Sequence, residues 1–293
     1  MSDGGLPQRI LVVGSRGQLG AAFVARLSPL RHVVGVDLDE LDITDPARVR
    51  EAVRSMRPGL ILNCAAFNDV DGAETRALDA YRVNGEAVWT LASLAGESGA
   101  VLVHYSSEFV YDGRLDRPYT EDDEPAPQSV YGATKLVGER YAAEAPRHYV
   151  LRLSSLYGGH TGRTTIDWIV RQGLAGAPVR AFGDRTVSPS CVPDVVEATL
   201  DLLSAGAPFG LYNCGSPDWC TWADIAERAL AACGRPGLFE RVPFSQAPGR
   251  AVRPQHCAMS SAKLCAAAAR APRPWREALD HYLAGRGPGA SRG

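Results

Sequence analysis

Tyr131 and Lys135 stand one helical turn apart in Tyr131-Gly-Ala-Thr-Lys135, and residues four apart share a helix face. An ammonium at that distance lowers the pKa of the phenol, so the pair suits proton exchange with a substrate near neutral pH. Only two lysines, Lys135 and Lys263, occur beside ten tyrosines. The spacing would therefore arise by chance only about 0.07 times per chain. Ser107 ends an apolar run that begins at Val101, and the carboxyl ends of parallel strands are where open α/β sheets bind ligands. A hydroxyl there can hold a carbonyl oxygen beside the phenol.

A second constellation lies at the start of the chain. Gly14-Ser15-Arg16-Gly17-Gln18-Leu19-Gly20 directly follows the apolar run Ile10–Val13 and opens a helical pattern from Leu19 to Leu27. Such a turn lets backbone approach a pyrophosphate, and the helix N-terminus offers unpaired N–H groups. The expected dinucleotide contacts are thus Gly14, Arg16, Gly17, Gln18, Leu19 and Gly20. Asp37 lies about twenty residues on, where a carboxylate accepts from the adenosine ribose and repels a 2′-phosphate, favouring NADH. Arg16 could pair with that phosphate, favouring NADPH. Both cofactors stay open. Asp42 and Ile43 are placed to flank the adenine, and Ala65 and Ala66 leave room at the end of a third strand.

Short apolar runs alternating with helical patterns position these groups. Strands are expected at 10–13, 33–36, 60–62, 101–103 running on to Ser107, and 149–151. Helices are expected over 19–27, over 46–56 with Asp45 as cap, over about 78–97, and through Tyr131. Thr221 caps a further helix reaching Ala232. The pattern predicts an α/β Rossmann-type doubly wound parallel sheet with a smaller C-terminal substrate-binding α/β region. The sheet domain spans 7–155, completed by part of 184–215. The substrate region comprises 156–183 and 216–284, and 285–293 reads as a flexible polar tail.

Composition narrows the partners. Hydrophobic residues make up 45% and charged residues 22% of 293, with a net charge of −2, so no nucleic acid or anionic membrane surface is called for. No apolar run approaches the ~18 residues of a membrane span. The start of the chain lacks the features of a signal peptide, which makes the cytoplasm the expected compartment. Seven scattered cysteines without a Cys-x-x-Cys pair point to reduced thiols and no zinc site.

The glycine turn, Ser107 and the Tyr131/Lys135 pair together resemble the extended short-chain dehydrogenase/reductase superfamily, which implies that Ser107, Tyr131 and Lys135 form a catalytic triad. Several segments are similar to those of dTDP-4-dehydrorhamnose reductases: His104 to Gly113, Asn63 to Glu74, Val83-Asn84, Tyr131 to Glu139, Arg152 to Gly158 and Arg253-Pro254. They follow the family order from residue 9 to about residue 283. The resemblance implies reduction of a 4-keto group on a dTDP-linked 6-deoxysugar by NADPH or NADH. Lys135 would also bind the nicotinamide ribose, with Asn84 helping to position it, and Ser107, Glu108, Tyr131 and Arg253 would contact the nucleotide sugar.

This chain also departs from that pattern. Glu108 and Phe109 replace the family's Asp and Tyr, Leu156 stands where Trp is common, and Asp184 to Pro189 strays from the usual Gln, Gly and Thr. The Asn-Ser-Arg-Leu that commonly follows Arg-Pro is missing. The catalytic core is kept while the substrate wall is altered, as for a different deoxysugar. Family dimers can be bridged by magnesium through an acid just after the glycine turn. Ala21 and Ala22 stand there, so no metal is expected, and a homodimer is left open. A 4,6-dehydratase is disfavoured, because only one acid follows Ser107. A 4-epimerase that retains NAD, a non-catalytic regulatory subunit and a dinucleotide-binding redox sensor share the fold.

Overall fold

A computed structural model describes residues 5–247 and 249–284. The expected tail at 285–293, and the first four residues of the segment read for a signal peptide, lie outside the described residues. The chain runs through β1 (Arg9–Val13), α1 (Gln18–Leu27), β2 (His32–Val36), α2 (Pro46–Met56), β3 (Leu60–Asn63) and a short α3 (Val70–Ala73). It continues with α4 (Ala77–Tyr81), a π-helical segment (Arg82–Glu86), α5 (Ala87–Ser98), β4 (Val101–Ser107), α6 (Val130–Ala142) and β5 (His148–Leu153). Then come α7 (Thr165–Ala175), β6 (Val179–Phe182), β7 (Thr186–Val187), α8 (Val192–Ala205), β8 (Gly210–Asn213), β9 (Cys220–Thr221) and α9 (Trp222–Ala232). The last are β10 (Phe239–Val242), β11 (His256–Cys257), α10 (Ala262–Ala267) and α11 (Trp275–Ala284).

Six strands form one parallel sheet in the order β2-β1-β3-β4-β5-β8. Ile10 pairs with Val33 on one side and Leu60 on the other, and Asn63 with His104. Successive side chains point to opposite faces, so each strand feeds two cores. Ile10, Val12, Leu60, Leu62 and Val103 pack with Phe23 of α1 and Val195 of α8. Leu11, Ile61, Leu102 and Val150 pack with Val49 of α2 and Leu91 of α5. Burial on both faces is why these strands read as unbroken apolar runs. The order reverses between β1 and β3, which is the switch point where such sheets open a ligand crevice at their carboxyl ends.

Local chemistry sets most boundaries. The Asp45 carboxylate accepts from the N–H groups of Ala47 and Arg48, and Thr221 and Asp224 form a capping box on α9. The single helix expected over 78–97 is instead α4 and α5 joined by the π-helical segment. Within it, the Asn84 side chain accepts from Phe67 N at 2.9 Å and donates to Phe67 O and to Thr134 Oγ1 of α6. That tertiary demand coincides with the extra residue in the turn, a feature frequent at functional sites.

The smaller region pairs β6 with β10, and β7 with β9 and β11. Its core joins Ile166 and Val170 of α7, Ala226 and Leu230 of α9, and Trp275 and Leu279 of α11. Between its segments the chain returns to the large sheet through α8 and β8, and Leu264 of α10 packs into that larger core. All seven cysteines are free thiols, five of them buried. Among the described residues no helix is long and apolar enough to cross a membrane.

Candidate active site

The nucleotide end is built from backbone. Gly17 caps α1 without any side-chain hydrogen bond, so the first-turn N–H groups and the positive end of the helix dipole face the crevice. A side chain on Gly20 would place its Cβ 2.1 Å from Gly14 O, so the turn and helix can approach this closely only with glycine there. Gly14, Arg16, Gly17, Asp37, Asp42, Ile43, Ala65 and Ala66 line one cavity of about 420 Å3. The Asp42 carboxylate, however, is turned onto Thr44, accepting from its N and Oγ1 at 2.9 and 2.7 Å, and the Ile43 side chain is buried in the core.

The conflicting signals of Arg16 and Asp37 meet here. Arg16 N donates to Asp37 Oδ2 at 2.8 Å, while the Arg16 guanidinium pairs with Asp39 at 2.9 Å and Glu40 at 3.0 Å. Three carboxylates thus surround one arginine at this end of the crevice.

A larger cleft of about 710 Å3 adjoins it and is lined by Arg16, Gly17, Gln18, Leu19, Ala65, Ala66, Ser107, Glu108, Tyr131, Lys135, Leu156 and Arg185, among others. Ser107 ends β4, and its hydroxyl donates to Glu108 Oε2 at 2.9 Å and accepts from Phe109 N at 3.3 Å. Ser129 caps α6 through Gly132 N. A Cβ at Gly132 would come 2.2 Å from Phe109 O, so glycine lets the helix press against the turn after β4. This approach sets Tyr131 edge-on to Phe109, with ring centroids 5.4 Å apart. One turn on, Lys135 Nζ donates to Tyr105 O at 2.6 Å. The structure therefore brings Ser107, Glu108, Tyr131 and Lys135 into one cleft.

The direction of the Tyr131 shift corrects the expectation from spacing. Burial, and after it the charge of Glu108, push the phenol well above its ordinary pKa, with only a Ser107 hydrogen bond opposing. Lys135 does not lower it; the ammonium is turned onto the Tyr105 carbonyl. Burial instead lowers Lys135 itself to about 8, with Glu139 pulling the other way. Burial also raises Glu108, against Arg185, Ser107 and the N–H groups of Glu108 and Ser155.

Helix α6 is fixed from behind. Arg152 of β5 holds Glu139 through two hydrogen bonds of 2.8 and 2.6 Å and donates to the Tyr111 hydroxyl at 2.6 Å. Both partners of this ion pair are buried. Asn84 reaches α6 at Thr134, beside Lys135, rather than Lys135 itself.

Arg253 is not brought to the main cleft. It lines a separate cavity of about 200 Å3 and pairs with Asp71 at 2.6 Å, while Arg250 N and Ala251 N donate to the same carboxylate. Asp71 claims the guanidinium that the sequence assigned to substrate. Sequence reasoning missed Arg185, which lines both cavities. It is 8% exposed, lies over the rings of Phe109 and Phe244 at 5.7 and 5.2 Å, and donates to Pro254 O. Its only signal was its place in a loop that strays from the resembled pattern.

A family model described as the RmlD substrate binding domain matches residues 8–286. The chain is 33% identical over 287 residues to the dTDP-4-dehydrorhamnose reductase of Mycobacterium tuberculosis, covering 96% of this chain and 94% of that protein. It is 34% identical over 225 residues to the probable dTDP-4,6-dihydroxy-2-methyloxan-3-one 4-ketoreductase of Streptomyces antibioticus, 76% of each. The crystal structure of the Bacillus anthracis dTDP-4-dehydrorhamnose reductase in complex with NADP superposes with a TM-score of 0.90. It is 27% identical, and the match covers 95% of this chain and 99% of that one.

Proposed function

The chain belongs to the RmlD substrate-binding-domain family of NAD(P)-dependent sugar-nucleotide reductases, and on that premise we propose that it reduces a 4-keto group on a dTDP-linked 6-deoxysugar. The observation that carries this reading is the convergence of Ser107, Tyr131 and Lys135 on a cleft continuous with an uncapped helix N-terminus. The uncapped helix and the glycine approach at Gly20 fit a dinucleotide pyrophosphate, held by backbone at Gly14 to Gly20. When bound, the nicotinamide supplies hydride to the carbonyl carbon. Tyr131 donates the proton that the developing alkoxide needs, and Ser107 hydrogen-bonds that oxygen as charge grows on it. Lys135, held on the Tyr105 carbonyl, is placed to orient the cofactor ribose. Arg185 and the exposed Arg163 line the sugar end of the cleft and suit the substrate diphosphate.

The acidic surroundings of Arg16 favour NADH. A 2′-phosphate would have to displace Asp39 and Glu40 from the guanidinium and lie beside Asp37, so NADH should give the higher kcat/KM.

The test follows the near-ultraviolet absorbance of reduced nicotinamide with dTDP-4-keto-6-deoxysugars, supplying NADH and NADPH in parallel. Substrate-dependent oxidation is expected. The Tyr131→Phe variant should lose all but a few per cent of turnover while binding cofactor nearly as well. If no 4-keto sugar nucleotide is reduced although cofactor binds, the ketoreductase reading fails. Tightly retained NAD would then point to an epimerase, and its absence to a partner-binding subunit.

A further inference from the structure

The Ser107 hydroxyl has one proton and two claimants. It donates to Glu108 Oε2 at 2.9 Å, while its oxygen accepts from Phe109 N at 3.3 Å. A serine hydroxyl carries a single donor hydrogen. As long as Glu108 holds it, Ser107 cannot also donate to the alkoxide that grows during reduction. Glu108 is 4% and Ser107 7% exposed, so little bulk water reaches either partner of this bond. The carboxylate is also fixed in place, because Tyr111 N donates to Glu108 O at 3.1 Å and closes the turn Glu108–Val110.

We propose that Glu108 selects 4-keto sugars bearing a hydroxyl on the carbon next to the ketone. That hydroxyl replaces Ser107 as donor to the carboxylate and frees the Ser107 proton for the carbonyl oxygen. The inference rests on the ketoreductase reading and names the substrate class within it. The exchange trades one hydrogen bond for another, and no proton leaves the oxygen that carries it. A substrate without the hydroxyl offers no such trade. Freeing Ser107 then leaves a buried carboxylate one donor short, which is costly.

Reach and sugar chemistry single out the position. Ser107 Oγ must come within about 3 Å of the oxygen on C4 to stabilise it. The Glu108 carboxylate, one hydrogen bond beyond Ser107, then lies within about 6 Å of that oxygen. On one side of C4, the C5 carbon of a 6-deoxysugar carries a methyl group and the ring oxygen, neither of which donates. On the other side C3 can carry a hydroxyl, whose oxygen stands about one hydrogen-bond length from the carbonyl oxygen. The C3 hydroxyl is therefore the nearest donor that the substrate can offer, and a C2 hydroxyl is one carbon more distant. Arg185, over the Phe109 ring at 5.7 Å, opposes the burial that disfavours the carboxylate and so helps to keep Glu108 an acceptor.

The experiment measures kcat and KM for oxidation of reduced nicotinamide by wild type, Glu108→Ala and Glu108→Gln. The substrates are the dTDP-4-keto-6-deoxysugar that wild type reduces and its 3-deoxy and 2-deoxy analogues. For wild type, kcat/KM should be at least about tenfold lower with the 3-deoxy analogue, with the drop in kcat, and within about threefold with the 2-deoxy one. Glu108→Ala has no acceptor left to satisfy, so its preference for the 3-hydroxy substrate should shrink to about twofold or less. Glu108→Gln keeps a neutral, weaker acceptor and should show an intermediate preference. A wild type indifferent to the C3 hydroxyl, a drop confined to KM or an equal drop with the 2-deoxy analogue would each overturn the proposal. An undiminished preference in Glu108→Ala would do the same. If Glu108→Ala does not fold, Glu108→Gln decides, and a preference as large as that of wild type overturns it. A wild type that reduces no 4-keto sugar nucleotide overturns the functional reading and this inference with it, whereas an active but indifferent wild type overturns this inference alone.

Discussion

Lys135 carries the clearest pH dependence at the scale of single residues. Burial lowers its pKa to about 8, whereas an unfolded lysine titrates near ~10.4. Between those values the unfolded chain binds more protons, so stability rises with pH across that window. Below pH 8 the folded state bears the whole cost of a buried ammonium, on the order of 3 kcal/mol. The thermal midpoint of wild type relative to Lys135→Met should therefore climb between about pH 8 and pH 10. Activity should move oppositely, falling above pH 8 as Lys135 loses the charge with which it would hold the cofactor ribose. A pH profile of kcat/KM with no limb near 8 would contradict this role. Spacing alone revealed Tyr131 and Lys135, and a strand end revealed Ser107. The direction of the Tyr131 shift was hidden, because it follows from burial and from Glu108, and a linear pattern contains neither.

At the scale of elements, helix α6, which carries Tyr131 and Lys135, is held by the buried Arg152–Glu139 ion pair. Removing one partner of such a pair typically costs about 3–5 kcal/mol, because the other charge stays buried and uncompensated. Glu139→Gln should lower the urea midpoint accordingly, and replacing Arg152 by methionine in the same chain should recover much of the loss. A Glu139→Gln protein as stable as wild type would remove the pair from the account of how α6 is held. Element types were legible wherever their cause is local, as with the Asp45 and Thr221 caps and the apolar runs of β1 and β3. The π-helical segment was not, because the bonds Asn84 makes run to Phe67 and to α6. Nor was β8 resolved as a strand within 184–215: Gly210-Leu-Tyr-Asn carries no period, and pairing with β5 places it.

Across the whole molecule, Asp71 of α3 clasps the segment around Arg250 and Arg253. Its carboxyl is held well below the usual range, first by the Arg253 hydrogen bond and next by Ala251 N. Asp71→Asn weakens these bonds, so limited trypsin digestion should cut after Arg250 several times faster than in wild type. Equal cutting rates would show that the clasp does not hold the segment. The sheet itself bears on how the chain is made. Strand β8 closes the edge of β5, yet residues 154–209, which include α7, β6 and β7 of the smaller region, lie between them. A nascent chain emerging from the ribosome thus presents β5 as an unpaired edge until residue 213 is out. Open strand edges recruit other chains, and parallel pairing across long separations forms slowly. The interval between those two strands is thus when this protein is most exposed to mispairing, and when a chaperone has most to protect.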